Sequence, residues 1–279
     1  MEPLLINLND YVQSGEGANG ASYDHKTNPN VMLKIYFRNF ESARQELELA
    51  QKVYAAGIPT PKPGRLITDG KRLGIQFERL YGKKSYARAV GENPELVEPL
   101  AQEFAELCRQ LHQTEVDTTQ FKNVKDHYLT LLEQTPFFTD EQKQKIKDFI
   151  VNAPEAKTAI HGDLQFGNGL FVENNGKRDK YLIDLGDFCY GYPMFDLGMV
   201  YLTCNLNDEA FTKEAFHMDN ATAARFWKAF APAYFGEKAN LAEIEKEVRI
   251  YAGLKTLIVE RDTKRPMPNF RRMLEGTIY

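Results

Sequence analysis

The chain lacks what would send it to a membrane, a nucleic acid or an oxidising compartment. No apolar run in its 279 residues approaches the roughly 18 needed to cross a bilayer. The opening Met1-Glu2-Pro3-Leu4-Leu5-Ile6 has neither the basic region nor the apolar core of a signal peptide. Three cysteines, Cys108, Cys189 and Cys204, form no CxxC pair, so they read as reduced core thiols and not as a disulfide framework or a zinc site. A basic excess is also missing: 35 Lys and Arg stand against 39 Asp and Glu, a net charge of -4, which offers no footprint for nucleic acid. Repeats and low-complexity tracts are absent. What remains is a soluble globular composition, expected in the cytoplasm, long enough for one large domain or two lobes.

The text then divides. Leu4-Leu-Ile6, Val31 to Tyr36 and Arg65 to Thr68 are short β-prone runs. Leu73, Ile75 and Phe77 alternate with polar or small residues, the period of a half-buried strand. Asp69-Gly70 marks a hairpin between the last two runs. Glu41 to Ala56 reads as a helix with Ala43, Leu47, Ala50 and Tyr54 on one face, ended by Gly57 and the prolines beyond. From about residue 94 helices dominate: Val97, Leu100, Phe104, Leu107 and Leu111 recur every three or four positions. One exception is a hairpin signal, Leu170-Phe-Val172 and Tyr181-Leu-Ile183 around Asn174-Asn-Gly176. The spacing predicts a β-rich N-lobe over 1–82, a connector near 78–84 and a helical C-lobe over 83–279.

Chemistry concentrates at five places. "HGDLQFGN", residues 161 to 168, crowds a base, a carboxylate and an amide around two glycines before a strand. Asn168 lies eight residues before Gly176 and Asp184 eight after it, so an antiparallel hairpin makes them neighbours at its open end. An amide oxygen and a carboxylate suit a hard cation such as Mg²⁺, and Asp163 on the loop beside them could accept a proton. Ordinary turn residues would look the same. "SGEGANGASY" places Gly15, Gly17 and Gly20 in GxGxxG spacing, which either cradles phosphates or makes a flexible hairpin. Lys34 is the one charge in "VMLKIY"; it snorkels to solvent or reaches phosphates from the strand after the glycine loop. Glu46 shares the apolar helix face and points inward, unlike Glu48.

In chain order, a glycine loop, a strand lysine, an inward helix glutamate, HxDxxxxN and a post-hairpin aspartate are the working set of a phosphoryl-transfer site. Together with "YLIDLGD" and "YPMFDLGMVYL" they resemble the aminoglycoside/choline phosphotransferase branch of the protein-kinase-like superfamily, from about Gly15 to Leu202. The resemblance implies an α+β, two-lobed protein-kinase-like fold binding ATP and Mg²⁺ between its lobes. By resemblance Asp163 is the catalytic base, Asn168 and Asp184 hold Mg²⁺, and Lys34 pairs with Glu46 over the phosphates. "FERLYGK", with Glu78 and Leu80, resembles the connector that receives adenine; Asp196 braces the catalytic loop or simply caps a helix, and His161 supports the loop by hydrogen bonds.

Departures point to a small acceptor. Gly162 stands where protein kinases have arginine, Leu185 replaces the phenylalanine of their metal motif, and no activation segment ending in Ala-Pro-Glu follows. The implied activity is transfer of the γ-phosphate to a hydroxyl of an aminoglycoside-, choline- or amino-alcohol-like molecule. A catalytically inactive nucleotide-binding module is the alternative. Acids such as Asp208, Glu209, Glu260 and Asp262 could favour a cationic amine, or form solvated helix faces. Tyr190, Tyr192, Tyr201 and Trp227 could line a pocket, or pack the core.

Overall fold

A computed structural model describes residues 2–16, 20–37 and 40–279, with side chains omitted at 16, 40–42, 262 and 263. The chain forms two compact units: 1–84 with 170–186, and 85–169 with 187–279. The first is built on a six-stranded sheet. Its strands are β1 (Leu4–Leu5), β2 (Tyr11–Glu16), β3 (Gly20–His25), β4 (Val31–Tyr36), β5 (Pro63–Thr68) and β6 (Leu73–Glu78), with helix α1 (Phe40–Ala55) between β4 and β5. They lie in the order β1-β5-β6-β4-β3-β2, antiparallel except for β1 beside β5.

The two-residue period of β4 decides what faces where. Leu33 and Ile35 pack with Ile67, Tyr11 and Tyr23 on one face. Tyr36 falls on the other, where Ala43 and Leu47 of α1 cover Leu66, Leu73 and Ile75. Lys34 shares the parity of Tyr36, so it is directed to the α1 side. Gly20 has a local reason: opposite Tyr36 in the ladder, a Cβ there would stand 2.4 Å from the Ile35 carbonyl oxygen. Gly15 sits beside a bulge in the β2–β3 pairing, and Gly17 lies outside the described residues. The hairpin Gly169–Asn174 and Lys177–Leu182 turns through Asn175 and Gly176, both at positive φ. It is tied to this unit where the Leu182 N–H donates to the Pro59 carbonyl at 2.7 Å.

The second unit is helical. Val97–Gln113 buries Leu100, Phe104, Leu107 and Leu111 against the helix Asn220–Phe235, and Met194–Asn205 packs on Leu241–Leu254. A short ladder pairs Ala159–Ile160 with Cys189–Tyr190. All three cysteines are buried and unbridged, and burial pushes their thiols up. Among the described residues no helix is long and apolar enough to cross a membrane.

Candidate active site

In the first unit three charges from three elements converge. Lys34 on β4 donates to Glu46 Oε1 of α1 at 2.8 Å and to Asp184 Oδ1 at 3.0 Å. Burial acts to lower the Lys34 pKa, but the Asp184 and Glu46 carboxylates outweigh it and hold the ammonium above its usual range. Its charge also lies 5.3 Å from the centre of the Tyr36 ring. Glu46 reaches this point because α1 presents positions 43, 46, 47 and 50 on one stripe, whereas Glu48 is exposed. Asp184 follows the hairpin in left-handed backbone, φ 61°, a conformation uncommon for a residue with a side chain. At the connector, the Glu78 N–H donates to the Lys62 carbonyl at 2.9 Å and its Oε2 accepts the Lys62 N–H. Leu80 is buried, and its carbonyl closes a turn with the Lys83 N–H.

The second unit carries the loop 161–168. Leu164 and Phe166 are fully buried, the latter against Phe216 and Phe226, while Asp163 and Gln165 alternate outward and are half-buried. The turn closes where the Asn168 N–H donates to the Gln165 carbonyl at 2.8 Å. The Asn168 amide Nδ2 donates to both the Asp163 carbonyl, at 2.9 Å, and its Oδ2, at 3.2 Å. His161 is fully buried, and its Nδ1 accepts the Asp163 N–H at 3.3 Å.

Asp196 holds the loop from below. Its Oδ2 accepts the His161 N–H at 2.7 Å and its Oδ1 accepts the Gly162 N–H at 2.9 Å. It is not the helix cap, since that position belongs to Pro193, which makes no side-chain cap. Burial acts to raise the Asp196 pKa, yet its hydrogen bond with His112 and the charges around it hold the carboxyl below its usual value. His112 continues the network, 3.1 Å from Asp196 on one ring nitrogen and 2.7 Å from the Tyr234 hydroxyl on the other.

A model of the phosphotransferase enzyme family matches residues 12–232. The chain belongs to that family. Among solved structures it is similar to a thermostable mutant of aminoglycoside phosphotransferase APH(4)-Ia in ternary complex with AMP-PNP and hygromycin B, at 14% identity and TM-score 0.64, over 96% of this chain and 95% of that one. Similar too are ADP-bound aminoglycoside phosphotransferase APH(2'')-Ib (16%, TM-score 0.57, 95% and 91%) and a choline/ethanolamine kinase family protein from Mesorhizobium loti (17%, TM-score 0.54, 95% and 84%). No curated protein matches the chain in sequence. The fold of this phosphotransferase is therefore the α+β, kinase-like one of these enzymes.

Each unit of the phosphotransferase carries an oxygen donor of the type Mg²⁺ takes. Because two Asp163 acceptors face Asn168 Nδ2, the amide is oriented with its Oδ1 as the arm for a cation. In the first unit the Asp184 carboxylate is about half exposed, at 55%. An amide oxygen and a carboxylate are each hard donors, the kind taken by a cation that keeps several waters and takes phosphate oxygens. Among the described residues no group of three or more His, Cys, Asp and Glu could hold a metal.

Other residues singled out in the sequence have internal work. Asp208 caps the helix Glu209–Phe216, Glu209 pairs with Lys213, and Glu260 is fully buried against Arg271 at 2.6 Å. They give no reason to favour an amine; the Asp262 side chain is outside the described residues. Tyr201 packs edge-on against Trp227, whose Nε1–H donates to Glu245, and Tyr192 donates to Glu247 at 3.2 Å. Sequence reasoning passed over Lys255, a buried lysine whose ammonium donates to the Gly162 carbonyl at 2.9 Å. A signal existed: Lys255 is a lone charge in "AGLKTLIV", much as Lys34 is in "VMLKIY".

Proposed function

We propose that this phosphotransferase moves the γ-phosphate of ATP to a hydroxyl of a small molecule. The observation that carries the reading is the position of Lys34, bonded at once to the helix glutamate Glu46 and to Asp184. That arrangement keeps one ammonium charged and directed for polyphosphate oxygens, with a carboxylate beside it for the metal. Glycines 15, 17 and 20 and the connector at Glu78 and Leu80 are assigned to the nucleotide. Asn168 and Asp184 are assigned to Mg²⁺, which when bound neutralises phosphate charge. Asp163 aligns the acceptor hydroxyl and takes its proton as the oxygen attacks the γ-phosphorus; the bond to the β-phosphate oxygen breaks and ADP leaves.

A small acceptor is supported by the segment after the metal aspartate. Cys189–Tyr190 is spent on the Ala159–Ile160 ladder, and Gly191 is stitched to Thr158 by its N–H and its carbonyl, both at 2.9 Å. Its backbone is therefore used internally and not offered to a peptide strand. The similar structures, aminoglycoside phosphotransferases and a choline/ethanolamine kinase family protein, support amino-alcohols and aminosugars as the first acceptors to try. The test is purified protein with Mg-ATP against a panel of small hydroxyl compounds, read by mass as phosphorylated product, with casein and histone alongside. A phosphorylated small molecule is expected. Labelled protein with a silent panel overturns the reading, and nucleotide binding with no transfer at all leaves a non-catalytic module.

A further inference from the structure

Gly162, the residue before Asp163, is held at both its N–H and its carbonyl, and only one of those holds belongs to the Asp196 brace. The Gly162 N–H goes to Asp196, while the Gly162 carbonyl accepts the Lys255 ammonium, which comes from 93 residues further along the chain. Lys255 sits at the junction of the helices Leu241–Leu254 and Thr256–Thr263 and is only 2% exposed. It does not snorkel. Its ammonium stands 5.5 Å from the centre of the buried Tyr128 ring. Burying an ammonium is costly unless it is paired and hydrogen-bonded, and an apolar residue would fill the same space without that cost. Burial acts to lower the Lys255 pKa, but Tyr128, Asp196 and Asp163 outweigh it, so the charge stays.

Gly162 shows why a second hold is needed. Its φ is +88°, and a Cβ there would lie 2.4 Å from the Asp187 carbonyl oxygen. This position therefore has no side chain with which to anchor itself, and its orientation depends on what grips its two peptides. Asp196 fixes the peptide entering Gly162 through the N–H. The peptide leaving it is held at both ends, its Asp163 N–H by His161 Nδ1 at 3.3 Å and its Gly162 carbonyl by the Lys255 ammonium at 2.9 Å.

We infer that Lys255 is a positioning residue: its ammonium fixes the Gly162–Asp163 peptide plane and with it the direction in which the Asp163 carboxylate is presented. The inference rests on the reading of Asp163 as the base. A small misdirection of a reacting group costs rate far more than binding.

Lys255→Met removes the donor and the charge at similar volume, and Lys255→Arg restores both. Amide hydrogen exchange of the peptide covering 161–168 is expected to quicken about tenfold or more in the Met variant, with the helix Val97–Gln113 unchanged. Mg-ATP turnover with water as acceptor is expected to fall about tenfold in kcat with little change in KM, and the Arg variant to recover part of both effects. Unchanged loop exchange, or a rise spread evenly through the helical unit, overturns the inference. If the Met variant does not fold, Lys255→Gln is read by the same measurements. Loop exchange needs no turnover, so an inactive wild type would count against the phosphotransferase reading while the exchange still decides the role of Lys255.

Discussion

Lys34 and Asp184, 150 residues apart in the chain, are joined by a 3.0 Å ion pair. The hairpin Gly169–Asn174 and Lys177–Leu182 returns the chain to the sheet, and Asp184 follows it in left-handed backbone. The same lysine is bonded to Glu46, so the cation is shared between a helix and the segment leaving the hairpin.

That sharing separates function from stability. The side chains of Lys34, Glu46 and Asp184 are 22%, 21% and 55% exposed, and pairs so open to water contribute about 0–1 kcal/mol. Lys34→Met is therefore expected to shift the urea midpoint little while lowering Mg-ATP turnover by on the order of 10². Equilibrium unfolding and steady-state kinetics on one preparation check both halves.

The two proposed metal ligands are unequal. Asp184 brings a full charge and Asn168 a dipole, so Asp184→Ala is expected to weaken Mg-ATP binding more than Asn168→Ala. Calorimetric titration of both variants decides, and a worse result for Asn168→Ala contradicts the assignment.

Asp196 gives a pH prediction with a definite sign. Its carboxyl is held below the ordinary aspartate value of 3.8 in the folded protein. A depressed carboxylate contributes stability that is fully present above the unfolded pKa and lost as pH falls through the folded one. Asp196→Asn breaks a buried charged network and is expected to cost about 3–5 kcal/mol at pH 7. The gap to wild type should narrow as pH falls below 3.8. Urea unfolding at pH 7, 5 and 3 measures it, and a gap that is constant or widens with acid contradicts the account.

Much of the fold was legible because its elements carry strong periods. Leu73, Ile75 and Phe77 alternate and form β6, and the helix expected over Glu41 to Ala56 is observed as Phe40–Ala55. β2 and β3 are not legible in "SGEGANGASY", which has little apolar alternation, and their pairing comes from the tertiary ladder with β4. The helices Tyr86–Glu92 and Val124–Gln134 went unplaced because they are short and set by packing. In the site, acids and amides near glycines announce themselves locally. His112, Tyr234 and Lys255 come from three distant helical segments: Lys255 reaches the loop itself, whereas His112 bonds Asp196 and Tyr234 bonds His112, and the sequence around each names no partner.

The central claim is that Asp163 takes the acceptor proton while other residues bind the nucleotide. Asp163→Asn keeps the size of the side chain and removes the base. Single-turnover transfer from γ-labelled ATP to an identified acceptor, with Mg-ATP affinity measured on the same sample, separates the two. The account predicts affinity close to wild type and transfer slower by on the order of 10² or more. Transfer at a near-normal rate would contradict it.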